Sequence, residues 1–310
     1  MNVYQDWDSI KIDKAVITLG SFDGLHKGHK HVCDALVNKA KALGGEAVVV
    51  SFSPHPREVL KPGSDIKLLH TDEEKIAAFK TTGINHLVLL PFDKAWAKLS
   101  ANEFLIELFS KINPIAFFLG YDHKFGRNRE GNFDLVKSLA PEFNMECIEL
   151  NKFNSKITIS STQIRNWISQ GNITKANESL GRTFSISGKV VKGNQIGHTI
   201  DFPTANIELK HANKILPAIG SYAVIIEHKN MKYKGMLNIG RRPTVNGNSL
   251  SIEVNIFEFS NNIYGDKLVV HFIDRIRTEY KFESVDALKE QLNQDKNASI
   301  KILDKINLNG

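Results

Sequence analysis

Cysteine is nearly absent: 310 residues hold two, Cys33 and Cys147. Neither has a second cysteine at C-x-x-C spacing, so neither a disulfide framework nor a cysteine zinc site is implied. Cys33 falls beside the apolar face of a helical pattern and reads as packing rather than as a reactive thiol. No apolar run is long enough to span a bilayer. The first eight residues carry acids and no apolar core, so they do not read as a secretory signal. A reducing cytoplasm is the expected setting. Dense Lys/Arg tracts with interleaved aromatics are also missing, which argues against nucleic acid as a partner. Neither G-x-x-x-x-G-K-[ST] nor G-x-G-x-x-G occurs, so P-loop and dinucleotide-binding oxidoreductase readings lose their usual support. Internal repeats and low-complexity tracts are not found.

What is present is ordinary globular material, 42% hydrophobic and 24% charged, with a net charge of +6. That balance fits anionic small molecules. The length suits two domains, each with its own core. The first part alternates apolar runs at 15–19, 47–52, 86–90, 115–119 and 146–150 with helical patterns at 29–43, 72–82, 101–111, 133–139 and 162–170. Such alternation predicts an α/β domain, a parallel sheet covered by helices, whose ligands sit beyond the carboxyl ends of the strands. Near Thr183 the period changes. Short β-rich runs at 184–191, 222–227, 232–239, 249–257 and 268–272 predict a small antiparallel β-barrel. A closing helix follows from Ser284, a plausible cap, with Val285, Leu288 and Leu292 apolar. The expected domains are 1–181 and 182–310.

The richest segment runs from Leu19 to His29, L-G-S-F-D-G-L-H-K-G-H. It joins a predicted strand to a predicted helix, where backbone N–H groups and the helix dipole favour an anion. His26 and His29 can donate to phosphate oxygens, and Gly28 removes a side chain that would block close approach. This segment resembles the signature of the nucleotidyltransferase superfamily. Its longer form is similar to the N-terminal module of bacterial bifunctional riboflavin kinase/FAD synthetases, with a Rossmann-like fold. Three further segments match that family. S-F-S-P-H-P-R at 51–57 resembles F-x-P-H-P. The stretch 119–131 resembles V-G-x-D-F-x-F-G-x-x-R-x-G at Gly120, Asp122, Phe125, Gly126, Arg129 and Gly131. I-S-S-T-Q-I-R at 159–165 has the spacing of a capping box, Ser160 with Gln163. It also resembles the second signature of these adenylyltransferases.

The resemblance implies adenylyl transfer from ATP to FMN, giving FAD and pyrophosphate, with Mg²⁺. His26, His29 and Arg165 would be catalytic. Gly20, Phe22, Asp23, Gly24, Gly28, Ser161 and Thr162 would bind ATP, and Asp122, Phe125 and Arg129 the flavin. The second half resembles riboflavin kinase. There Gly193 and Gly197, followed by F-P-T-A-N at 202–206, imply an ATP site with Thr204 and Asn206 on Mg²⁺. Glu253 would be the base for the riboflavin 5′-hydroxyl, although a strand glutamate facing solvent has the same pattern. Arg277 would lie on the flavin side. Two positions depart from the family: His198 replaces an arginine and Asp201 a glycine beside the phosphate loop. An added carboxylate there would repel phosphates unless metal-bound. The alternatives are therefore an adenylyltransferase with a weak or inactive kinase, and a flavin-binding sensor without turnover.

Overall fold

The structure is a computed structural model that describes all residues except 62, 64, 65, 121, 122, 151–158, 194–201, 245, 246 and 307–310. Two compact units divide the chain, 1–160 and 161–310.

The first unit is a six-stranded sheet in which every pair is parallel. Its strands are β1 (Asn2–Tyr4), β2 (Ile12–Leu19), β3 (Glu46–Ser53), β4 (His86–Pro91), β5 (Ile112–Gly120) and β6 (Glu146–Leu150). The order is β1-β4-β3-β2-β5-β6. Helices α1 (Lys27–Leu43), α2 (Pro56–Leu60), α3 (Asp72–Phe79), α4 (Ala101–Lys111) and α5 (Phe133–Leu139) link the strands. The central strands are apolar without alternation because both faces are covered. On one face Ile17, Val48, Val50, Val88 and Phe117 pack with Leu105 and Leu108 of α4 and Val136 of α5. On the other, Val16, Val49, Leu87 and Phe118 pack with Cys33 and Leu36 of α1 and Phe79 of α3. Chain order runs outward from β2 to β3 and β4 on one side and to β5 and β6 on the other. The turn after β2 therefore lies at the topological switch point, where such sheets take ligands.

The second unit opens with α6 (Ser161–Ser169) and α7 (Ile173–Leu180), then forms a closed barrel in the order β10-β11-β8-β7-β12-β9. Its strands are β7 (Phe184–Val191), β8 (Ala205–Leu209), β9 (Gly220–His228), β10 (Met231–Thr244), β11 (Gly247–Ile256) and β12 (Lys267–Thr278), all antiparallel. Helix α8 (Val285–Leu303) starts at Ser284, whose side chain accepts the Ala287 N–H at 3.1 Å. Its Leu288, Leu292 and Leu303 pack against Ala223 and Ile225 of β9 and Met236 of β10. Val285, expected on that face, is exposed.

The compact units divide ahead of the 181/182 boundary drawn from the sequence, because α6 and α7 are bonded to the barrel. The Asn177 side chain donates to the Phe272 carbonyl at 2.9 Å and accepts the Phe184 N–H at 2.7 Å. The Ala218 N–H donates to the Ile168 carbonyl at 3.2 Å. Four elements escaped the sequence reading. The edge strand β1 has three residues, α2 has five, α7 is a separate eight-residue helix after α6, and β8 begins inside the P-T-A-N string that reads as a turn.

Candidate active sites

The turn after β2 is built from strained backbone. Phe22, Gly24 and Leu25 have φ of 46, 88 and 38°, in the left-handed region that side chains disfavour. Surrounding contacts over-determine it. The two oxygens of the buried Asp23 carboxylate accept backbone N–H groups, from Leu69 at 3.0 Å and His70 at 2.9 Å. Ser51 of β3 donates its hydroxyl to the Ser21 carbonyl at 3.1 Å. The Phe22 ring lies 5.7 Å from that of Phe79 and 5.1 Å from that of His29. Asp23 thus shapes the turn through the backbone of 69–70.

His26 is the N-cap of α1, and its Nδ1 accepts the His29 backbone N–H at 3.3 Å. An accepting nitrogen carries no proton, so the neutral ring holds its hydrogen on Nε2, a donor. The His26 and His29 rings stack with centroids 3.7 Å apart. Gly28 leaves room for this, since a Cβ there would stand 3.2 Å from the His26 ring. Gly20 does the same for Phe22, whose ring would lie 3.0 Å from an added Cβ. Burial pushes the His26 imidazole down to about 4, against the opposing pull of Asp23. His29 falls well below the ordinary imidazole value, through burial first and then its neighbours His26 and Lys75. Its Nδ1 is buried with no hydrogen-bond partner among the described residues. At neutral pH the pair is two uncharged imidazoles at a helix N-terminus, a donor set for an anion.

Helix α3 adds Lys75, which the sequence reading did not single out. It is 4% exposed, and its Nζ donates to Ser51 Oγ at 3.3 Å and the Phe52 carbonyl at 3.4 Å. The signal was available: Lys75 lies one turn before buried Phe79, on the inward face of its helix. The 51–57 segment is largely structural. His55 caps α2, accepting the Arg57 N–H at 3.2 Å, while Glu58 reaches back to the His55 N–H at 3.0 Å.

In the loop after β5, Asp122 lies outside the described residues. Phe125 and Gly131 exchange backbone hydrogen bonds of 3.2 and 2.9 Å, closing a loop with left-handed Asn128 and Arg129. The Phe125 ring is buried in the core, 6.0 Å from Phe104. Arg129 is exposed at the loop tip. Phe125 anchors the loop through its buried ring, and Arg129 is solvent-exposed. Ser161 and Thr162 form the first turn of α6, with half-buried Arg165 one turn on.

The barrel gathers the other predicted residues. Glu253 of β11 sits opposite Asn206 of β8 in register. Thr204 donates its hydroxyl to Glu253 Oε2 at 3.3 Å. Gly193 lies against the Asn206 side chain so closely that a Cβ would fall 1.9 Å from Nδ2. Asn255, two residues on, donates to the Pro203 carbonyl at 2.7 Å and fixes the start of β8. Gly197, His198 and Asp201 lie outside the described residues. Arg277 lies on β12. Its guanidinium grips Asp295 of α8, with Nε 2.9 and 3.0 Å from the two carboxylate oxygens and a second nitrogen at 2.9 Å. It also stacks over Tyr280 and Phe282, at 4.8 and 5.5 Å from the ring centroids. Asp295, missed in the sequence, is a helix-interior acid with no local motif.

A doubly covered parallel sheet with a histidine-bearing turn at its switch point, and a barrel with a carboxylate bonded by a threonine hydroxyl, fit the class of phosphate-transferring enzymes. Comparison with known proteins narrows this. The FAD synthetase family model matches residues 9–163 and the riboflavin kinase model residues 180–303. A bifunctional riboflavin kinase/FMN adenylyltransferase of Buchnera aphidicola subsp. Schizaphis graminum is 35% identical over 288 residues, 91% of each chain. That of Bacillus subtilis is 34% identical over 295 residues, 93% of this chain and 92% of the relative. A crystal structure named as a macrolide-efflux protein from Streptococcus pneumoniae superposes with TM-score 0.87 and 32% identity, covering 96% and 97% of the two chains. No helix among the described residues is long and apolar enough to cross a membrane. The chain belongs to the bifunctional riboflavin kinase/FMN adenylyltransferase family, with an FAD synthetase domain followed by a riboflavin kinase domain.

Proposed function

We propose that the chain converts riboflavin to FMN with ATP in 182–310, and FMN to FAD with a second ATP in 1–181, releasing pyrophosphate. The observation that supports this reading is that two separate polar clusters occur in one chain, the stacked His26–His29 pair and the Thr204–Asn206–Glu253 group. The chemistry needs no covalent intermediate. In the first module the FMN phosphate attacks the α-phosphorus of ATP. The neutral His26 donates from Nε2 and His29 assists beside it, at the turn formed by Gly20, Phe22, Asp23, Gly24 and Gly28. The family resemblance assigns the outer phosphates to Ser161, Thr162 and Arg165. Alignment and charge stabilisation supply the rate. Arg129 and Asp122 meet the flavin, with Phe125 fixing their loop.

In the barrel, Glu253 accepts the proton of the riboflavin 5′-hydroxyl as that oxygen attacks the γ-phosphorus of ATP, and ADP leaves with the bridging oxygen. The Thr204 hydroxyl holds the carboxylate in place. Gly193 and Gly197 make room for ATP, and Arg277 orders the flavin side. Thr204 and Asn206 offer hard oxygen atoms. That donor set fits Mg²⁺ brought by ATP and sharing its phosphates, rather than a permanent protein cage. When bound, the ion neutralises charge on the transferring group. The substrates are small molecules, and the setting we propose is the cytoplasm.

The test is product analysis by chromatography of purified protein with Mg²⁺-ATP and either riboflavin or FMN. FAD from both supports the reading. FAD from FMN alone makes the barrel an inactive kinase, and FAD from neither, with both flavins bound, makes the chain a sensor.

A further inference from the structure

We propose that Lys75 is a positioning residue for adenylyl transfer: through Ser51 it fixes the left-handed turn that presents His26, and it places a buried amine beneath that turn. The inference rests on the assignment of the 20–29 segment to adenylyl transfer made above.

Lys75 is the one buried Lys or Arg among the described residues of 1–160. Desolvating an ammonium is costly, and a methionine would fill the same space without that cost. Its hydrogen bonds go to two neutral oxygens of β3, Ser51 Oγ and the Phe52 carbonyl. Ser51 in turn donates to the Ser21 carbonyl, at the base of the strained turn. With Nζ occupying one lone pair of Ser51 Oγ, the hydroxyl hydrogen is free to point at Ser21. The link therefore runs from α3 through β3 into the turn. Asp23 holds the same turn from the other side, through Leu69 and His70.

The charges around Lys75 define its second role. Burial lowers its pKa below the ordinary lysine value, while Asp23 of the turn, Asp72 of its own helix and Glu58 of α2 pull the other way and favour the charged form. Its charge also helps keep His29 of α1 neutral, a residue that His26 faces as well. The site thus divides its labour. Uncharged imidazoles supply directed donors, and the charged form of Lys75, favoured by those three carboxylates, sits in a low-dielectric position where a cation acts most strongly on negative charge developing on the phosphoryl oxygens.

The test uses the full chain and steady-state FAD synthesis from FMN and Mg²⁺-ATP, with riboflavin phosphorylation by the same preparation as the internal control. Lys75→Met lowers kcat by about 100-fold, changes the ATP KM by less than about twofold, and leaves riboflavin phosphorylation unchanged. Removing the cation relaxes one of the influences holding His29 down, so the acid limb of the kcat–pH profile moves to higher pH. Ser51→Ala breaks the link but keeps the charge. It lowers kcat by about tenfold and leaves the profile where it is. Wild-type kcat in Lys75→Met, or a loss with an unmoved profile, overturns the proposal. If Lys75→Met does not fold, Ser51→Ala decides, and wild-type kcat in that variant overturns it. His29→Ala separates the two levels. Full FAD synthesis in His29→Ala removes the site assignment itself, whereas an inactive His29→Ala beside a fully active Lys75→Met removes the Lys75 inference alone.

Discussion

Replacing Asp295 by asparagine removes the charge that holds Arg277, and the cost can be worked from the contacts. Asp295 is 1% exposed, and the Arg277 side chain 16%. Breaking a buried ion pair by removing one partner costs about 3–5 kcal/mol, mostly for the charge left behind. Here the stranded guanidinium keeps its bond to the Thr278 carbonyl and its stacking on Tyr280 and Phe282. Asparagine also retains one acceptor oxygen. Both reduce the loss, to about 2–3 kcal/mol. With a urea m-value of about 2 kcal/mol/M, the midpoint falls by roughly 1–1.5 M. Trp167 of α6 reports on 161–310 once Trp7 and Trp96 are changed to phenylalanine, since these are the three tryptophans of the chain. A double variant, Arg277→Met with Asp295→Leu, removes both charges and recovers most of the loss. A midpoint shift below about 0.3 M in Asp295→Asn, or a double variant no more stable than the single one, refutes this account of the α8 attachment.

Gly193→Ala forces the Asn206 side chain away, because the new Cβ would fall 1.9 Å from its amide nitrogen. The kcat/KM for ATP in riboflavin phosphorylation falls by about 10–100-fold while FAD synthesis from FMN is unchanged; steady-state assays of both reactions on one preparation check this. The stability of 1–160 depends on pH through His26. Its folded pKa of about 4 lies below the unfolded value of 6.5, so the unfolded chain takes up the proton first as pH falls. The contribution is fully present above about pH 6.5, and about 3 kcal/mol is lost as pH drops towards 4. His29 acts with the same sign. Denaturation midpoints measured across that range fall in the wild type and fall less in His26→Asn, which keeps a good N-cap residue. Asp201→Gly tests the departure in the phosphate loop. A rise in kcat/KM for ATP shows that the carboxylate weakens the kinase, and unchanged constants show that it is tolerated.

The sequence disclosed most where one residue's chemistry is local. The L-G-S-F-D-G-L-H-K-G-H string marked its own strand, turn and helix, and the uninterrupted apolar runs at β3, β4 and β5 marked a sheet covered on both faces. In the barrel, alternation along β11 put Glu253 on its strand, and Thr204 and Asn206 stood in the motif that the structure gathers around it. Roles set by distant partners were not visible. Asp23 resembles a ligand contact, yet its oxygens meet the backbone of residues 69 and 70. Phe125 belongs to a loop motif but packs in the core. Arg277 owes its position to Asp295, eighteen residues on in a helix whose pattern shows only a charged residue on an amphipathic surface. Lys75 matters through Ser51, a contact between α3 and β3 that sequence spacing does not encode. The α6 and α7 helices look like the end of the α/β repeat because their hydrophobic period is the same. Their attachment to the barrel depends on hydrogen bonds from Asn177 and Ile168 that periodicity cannot register.

The central claim is that one chain carries two independent phosphate-transfer sites, and the most direct measurement is the product pattern of two single variants given riboflavin and Mg²⁺-ATP, or FMN and Mg²⁺-ATP. Glu253→Gln makes FAD from FMN but nothing from riboflavin. His29→Ala converts riboflavin to FMN and stops there. If either variant loses both reactions while remaining folded, or keeps both, the assignment of the two chemistries to these two clusters is contradicted.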